Sequence, residues 1–233
     1  MTDLRATGGT DYATYLLIDD LLNLQRPITP EAHDELLFIV VHQAYELWFK
    51  LILHELARAR TELAAGRPQT ALPPLRRVNR IWEVLLKQLD VLETMTPEGF
   101  LEFRDPLAPA SGFQSRQFRE IEADATPLYA TFLMAGRALG LILPADDEAA
   151  RVEALAGLHR DHADPAPACL HMVAEALMDH DESVARWRFH HVLMAAREIG
   201  TRPGTGGSRG VQYLQTTLAD RCFPELWAVR AVL

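Results

Sequence analysis

The segment from roughly Pro30 to Ala65 reads as one unbroken helix, and it limits the folds open to this chain more than any other stretch. Between Leu36 and Leu53 its apolar residues surround the axis instead of forming a stripe, as a helix buried on most sides requires. His42 sits inside that apolar cylinder, with Phe38 four residues before it, Tyr45 three after and Phe49 seven after. At 3.6 residues per turn these four share a face. A histidine framed by aromatics is either a core residue satisfied by a neighbour or part of a pocket wall, and this pattern alone leaves both readings open.

The remainder of the chain is helical in the same sense. Asp11 to Leu24 has an amphipathic pattern behind a loose arm at residues 1–10. Thr29 and Pro30 are set as cap and first residue of the long helix, which Gly66 and Pro68 end. Further helices are predicted over Pro74–Thr94, from Thr96-Pro97 to Arg104, over Gln114–Asp124, from Thr126-Pro127 to Gly140, and behind the acidic start Asp146-Asp147-Glu148. Residues 166–200 form one long helix, or two jointed near Asp179–Asp181. A last helix is expected at Val211–Arg221, ahead of Pro224 and an apolar tail. No run of alternating or β-branched residues reads as a strand, so the fold class is all-α.

The net charge of −9 excludes a general binder of phosphate backbones, so no nucleic-acid partner is expected. No apolar run reaches the length of a membrane span, and the first residues lack the apolar core of a signal peptide. Cys169 and Cys222 form no CxxC or CxxCH motif; a reduced, cytoplasmic setting is expected. A di-iron bundle needs Glu-x-x-His pairs, and no glutamate here is followed by histidine at that spacing. His54-Glu55 does not extend to HExxH.

His191 shares a helical face with Val184, Trp187, Met194 and Ala195, whereas His190 aligns with Arg186 and Arg197 on a wetter one. One histidine on an apolar face can hold haem iron from one side, or it can be a hydrogen-bonded core residue. Gly204-Thr205-Gly206-Gly207-Ser208-Arg209-Gly210 matches neither GxGxxG nor a P-loop, and it follows a helix. It is an ordinary loop, or a set of backbone amides for a small anion. Arg104, beside Phe100 and Phe103, is a solvated helix-end cation or a fork for a carboxylate.

In order along the chain come Tyr12-x-x-Tyr15-Leu16, His33-Asp34-Glu35-x-Leu37-Phe38, His42-Gln43-x-x-Glu46-Leu47-Trp48-x-Lys50 and His54-Glu55-Leu56. Glu93-Thr94-x-Thr96-Pro97, Phe103-Arg104-Asp105 and Ser111-Gly112-Phe113-Gln114-Ser115 follow. Trp187-Arg188-Phe189-x-His191, the glycine loop with Val211, and Phe223-Pro224-Glu225-Leu226 complete the series. With these motifs the chain resembles the tryptophan 2,3-dioxygenase family over nearly its whole length except roughly 123–183.

The resemblance implies a helical bundle enclosing a haem b pocket, with residues 1–233 as a single catalytic domain. It implies that L-tryptophan, or a related indole amino acid, is opened by O2 to N-formylkynurenine. By the same resemblance His191 is the proximal iron ligand, with Ser111, Gly112 and Trp187 around the haem. His42 faces the indole N–H, Phe38 lines the indole pocket, Arg104 holds the substrate carboxylate with Phe100 at the substrate-binding position beside it, and Thr205 belongs to the loop over the amino-acid head group. Tyr12, Tyr15 and Leu16, within an arm at residues 1–25, complete a neighbouring subunit's pocket, which implies a homo-oligomer, tetramer or dimer. Two departures stand out: Phe100 replaces a tyrosine common in the family, and the 123–183 stretch is shorter. The shortened chain is also similar to haem monooxygenases that form oxindoles from modified tryptophans. Two further readings stay open at the level of sequence: a non-catalytic haem-binding protein and a cofactor-free helical interaction protein.

Overall fold

The computed structural model describes residues 11–160 and 164–233; the loose arm expected at residues 1–10 lies outside them. Ten α-helices and one 3-10 turn occupy the described residues, with no strand among them. They are α1 (Tyr12–Leu16), α2 (Ile18–Leu22), α3 (His33–Ala64), α4 (Pro68–Leu92), α5 (Pro97–Leu107), the 3-10 turn Gly112–Gln114, α6 (Arg116–Ala138), α7 (Glu148–Arg160), α8 (Pro165–Ile199), α9 (Val211–Thr216) and α10 (Pro224–Val229). The expected all-α fold is present.

The frame consists of α3, α4, α6 and α8. α4 packs against both α3 and α8, and α6 packs along α3. The apolar stripe of α4 does most of this work: Leu75, Val78, Trp82, Leu85 and Leu89 are each at most 1% exposed. Fully burying a side chain of this kind stabilises the fold by roughly 1.5–3 kcal/mol. Polar ties fix the register: Tyr45 Oη donates to Leu85 O at 2.7 Å, and Gln88 Nε2 donates to Val41 O at 2.7 Å. Among the described residues, α3 is the one helix long and apolar enough by composition to cross a membrane (mean hydropathy 1.5 over eighteen residues), although no uninterrupted apolar run in it has that length. Here it is the central rod of the bundle.

Several boundaries differ from expectation. α3 begins at His33, not at Pro30, because the Glu35 carboxylate turns back to accept the amides of Ile28 and Thr29 at 2.8 and 2.7 Å. The expected first helix is two, since Leu17 adopts φ 52° and breaks it. α4 starts at Pro68 and carries Pro73 and Pro74 inside it, and α6 runs straight through Pro127. In each case the carbonyl deprived of its amide partner lies four residues back. Those residues, Gln69, Thr70 and Ala123, are all exposed, so water can satisfy them. α8 is one uninterrupted rod ending at Gly200. The apolar tail after Pro224 forms α10.

α3 is not buried all round. Leu36, Val40 and Leu47 face outward, 49%, 46% and 56% exposed.

Candidate active site

A cavity of about 300 Å³ opens where α3, α4, α5, α6 and α8 meet the glycine loop. Phe38, His42, Phe100, Arg104, Ser111, Gly112, Trp187, His191 and Thr205 all line it. Nine of the residues singled out from the sequence therefore meet in one place. Tyr12, Tyr15 and Leu16 do not: they lie on α1, exposed by 75%, 72% and 43%, away from this chain's own cavity.

His42 rests on Phe38, with ring centroids 4.0 Å apart, and its Nδ1 lies 2.7 Å from Phe38 O. A carbonyl only accepts, so Nδ1 carries the hydrogen. Burial lowers the pKa of the ring, against smaller opposing effects of the Phe38 carbonyl and Glu46. A neutral imidazole with its hydrogen on Nδ1 leaves the Nε2 lone pair as an acceptor.

His191 comes from α8, on the other side. It stacks on Trp187 at 4.9 Å with planes 14° apart. The ring is half-buried by exposure because it opens on the cavity, yet the surrounding protein is dense. Burial, helped by nearby His42, pushes its pKa down to about 4. A neutral imidazole on a wall with Leu89, Leu92, Met95, Met194 and Ala195 is a suitable donor for iron in a flat apolar cofactor.

The mount behind His191 is well tied. Trp187 Nε1 donates to Tyr45 Oη at 3.4 Å, and Phe118 packs on the indole at 4.8 Å. Arg188, the next residue on α8, pairs with Glu122 at 2.5 Å and donates to Asp220 O at 3.1 Å.

At the open end, Arg104 Nη2 donates to Pro203 O at 2.7 Å, while its buried Nε has no partner. An unpaired guanidinium N–H beside a cavity fits an incoming carboxylate. Phe100 packs edge-on to Phe103 and offset-stacked near Phe38, with no hydroxyl to assist the arginine. Thr205 Oγ1 donates to Ala110 O at 2.6 Å, fastening the glycine loop to the segment before Ser111. That closure needs Gly206, where a Cβ would stand 2.8 Å from the Ser111 Cβ. The loop is thus folded inward, with Gly204 N donating to Ser208 O.

The sequence reading missed Tyr45 as part of the mount, Phe118 behind Trp187, and Glu198, a carboxylate on the cavity wall. For Glu198 a signal existed: it lies seven residues after His191, a charge on an otherwise apolar face.

The sequence profile described as tryptophan 2,3-dioxygenase matches residues 2–126 and 157–233. The interruption falls within the stretch expected to depart from the family. A tryptophan 2,3-dioxygenase of Anaeromyxobacter sp. (strain K) is 41% identical over 271 aligned residues, covering 100% of both chains. That of Nocardioides sp. (strain ATCC BAA-499 / JS614) is 42% identical over 95% of this chain and 94% of its own. That of Caulobacter vibrioides is 40% identical over 95% and 98%. With identity of this order across the full length, and the family's motifs gathered around one cavity, the chain belongs to the tryptophan 2,3-dioxygenase family.

Proposed function

We propose that this protein is a haem-dependent dioxygenase that opens the indole ring of L-tryptophan, or of a close derivative, to give N-formylkynurenine. The observation that carries the reading is the pair of neutral histidines on one cavity, His42 with Nε2 open and His191 on an apolar wall. Haem b, when bound, supplies the iron and the oxygen chemistry. The protein's own residues bind, orient and exclude water.

His191 would hold the iron from α8, with the plane of its ring fixed by the stack on Trp187. His42 Nε2 accepts the indole N–H while Phe38 and Phe100 flank the ring. Arg104 takes the carboxylate through its unpaired N–H, with Phe100 giving no second hydrogen bond. Thr205 already spends its hydroxyl hydrogen on Ala110 O, so its lone pairs are left to receive the substrate ammonium. Ser111 and Gly112 form the wall beneath that loop.

The same reading makes the whole chain one catalytic domain acting in a homo-oligomer, since the cavity draws its walls from α3, α4, α5, α6, α8 and the loop. Tyr12, Tyr15 and Leu16 would complete the pocket of a neighbouring copy; their exposure, with that of Leu47 on α3, supports this. Cys169 and Cys222 are unpaired, in keeping with a cytoplasmic setting.

The test is mass spectrometry of the product formed from tryptophan under labelled O2. Two labelled oxygens in N-formylkynurenine are expected; one labelled oxygen in an oxindole overturns dioxygenation. His191→Ala is expected to lose the Soret band, and His42→Ala to keep it with a reduced rate.

A further inference from the structure

Glu198 lies seven residues beyond His191 on α8, so both side chains leave the helix on one face, about 10 Å apart along its axis. It is 4% exposed, it lines the cavity, and neither carboxylate oxygen has a hydrogen-bond partner. Other acids of the cavity wall are engaged: Glu46 by Gln117 at 2.8 Å and Glu122 by Arg188. An orphan carboxylate at this depth is costly as an anion and far less so as an acid.

Charged neighbours act on it in both directions. Beyond burial itself, Glu93 at the end of α4, Asp34 in the first turn of α3 and Glu98 in the first turn of α5 all oppose a negative charge on Glu198. Arg197, on its own helix, favours one. His42 and His191 share the cavity and are held neutral. Arg104, Arg119 and Arg188 also line the cavity, Arg188 engaged by Glu122; against that fixed background the carboxyl responds to one further charge.

Resting on the reading of the cavity as a haem site, we infer that Glu198 is a redox-linked proton acceptor, taking one proton from solvent water as one electron reaches the iron held by His191 and returning it on reoxidation. The electron comes from a soluble one-electron reductant, dithionite in the laboratory; the carboxyl O–H forms as an O–H of solvent hydronium breaks, the reverse happens on reoxidation, and no other bond changes. Ferric iron carries one more positive charge than ferrous and favours the anion. Taking the roughly 10 Å rise between His191 and Glu198 as the order of the separation, a unit charge held by His191 shifts the equilibrium roughly tenfold at an effective dielectric near 20.

The experiment is spectroelectrochemical titration of the haem-loaded full chain between about pH 5 and about pH 9, which spans a raised carboxyl and neutral histidines. At fixed applied potential the ferrous-to-ferric ratio of the natural protein is expected to fall roughly tenfold as Glu198 ionises. Glu198→Gln keeps shape and neutrality and is expected to hold the acidic ratio throughout. His42 is unchanged between the two proteins, so the difference between their curves belongs to Glu198. Superimposable curves overturn the inference. Should Glu198→Gln fail to fold, redox-difference infrared spectra of the natural protein decide: a protonated-carboxyl band gained on reduction, shifting in D2O, upholds the inference, and its absence overturns it. A purified chain that takes up no haem overturns the reading of the cavity and this inference together; a Soret band with superimposable curves overturns this inference alone.

Discussion

Asp181 and Glu198 are both buried acids on α8, exposed by 0% and 4%, and the protein treats them in opposite ways. Asp181 accepts three hydrogen bonds, from the amides of Cys222 and Phe223 and from Trp227 Nε1, at 2.8–2.9 Å. Its neighbour His180 accepts from Trp82 Nε1 at 3.0 Å. The middle of α8 is therefore closed: every buried polar group named there has a partner from elsewhere in the chain. Past Trp187 the same rod turns polar groups to a cavity, and Glu198 has none. Satisfaction of buried polar atoms, more than burial itself, separates scaffold from site on this helix.

The sharpest way to break that contrast is Asp181→Ala. It strands three donors and releases the C-terminal segment from α8, so unfolding free energy is expected to drop by about 4 kcal/mol in urea titration. Next comes acid. His180 has its pKa lowered from 6.5 to about 4 by burial, so the unfolded chain binds the proton more tightly. Its contribution is present above about pH 6.5 and is lost as pH falls toward 4, roughly 3 kcal/mol in all. Denaturation midpoints followed over that range are expected to show a shallower slope for His180→Gln.

Glu198→Leu tests the other half of the helix, with the opposite sign. Removing an unpartnered carboxyl is expected to raise the stability of the haem-free protein by about 1–2 kcal/mol. The gain grows with pH, because burial raises the pKa of Glu198 and its anion weighs on the fold above the ordinary glutamate range. The smallest effect is at the open end. Phe100→Tyr supplies a hydroxyl near Arg104 and is expected to lower KM by a few-fold, about 0.5–1.5 kcal/mol, with the melting temperature nearly unchanged.

Much of the bundle could be read from the sequence, for reasons visible residue by residue. α8 was expected over 166–200 and runs Pro165–Ile199, since Gly200 ends it and nothing interrupts its periodicity. Pro127 and Pro74 read locally as start signals, yet a helix crosses a proline when the lost bond falls on a wet face, and solvent exposure is not written locally. Glu35 capping residues behind it is a return of the chain that no spacing rule encodes. The same holds for the site. Family motifs mark nine residues that meet in one cavity, and the spacing of Glu198 from His191 is legible too, but that its carboxylate lacks a partner depends on what packs opposite.

The chain of contacts from Trp187 through the Tyr45 hydroxyl to the Leu85 carbonyl bolts three rods together at the level of His191. The imidazole stacked on Trp187 thus takes its bearing from a frame of three helices. A disturbance of that frame as distant as Leu85 has a direct path to the ring.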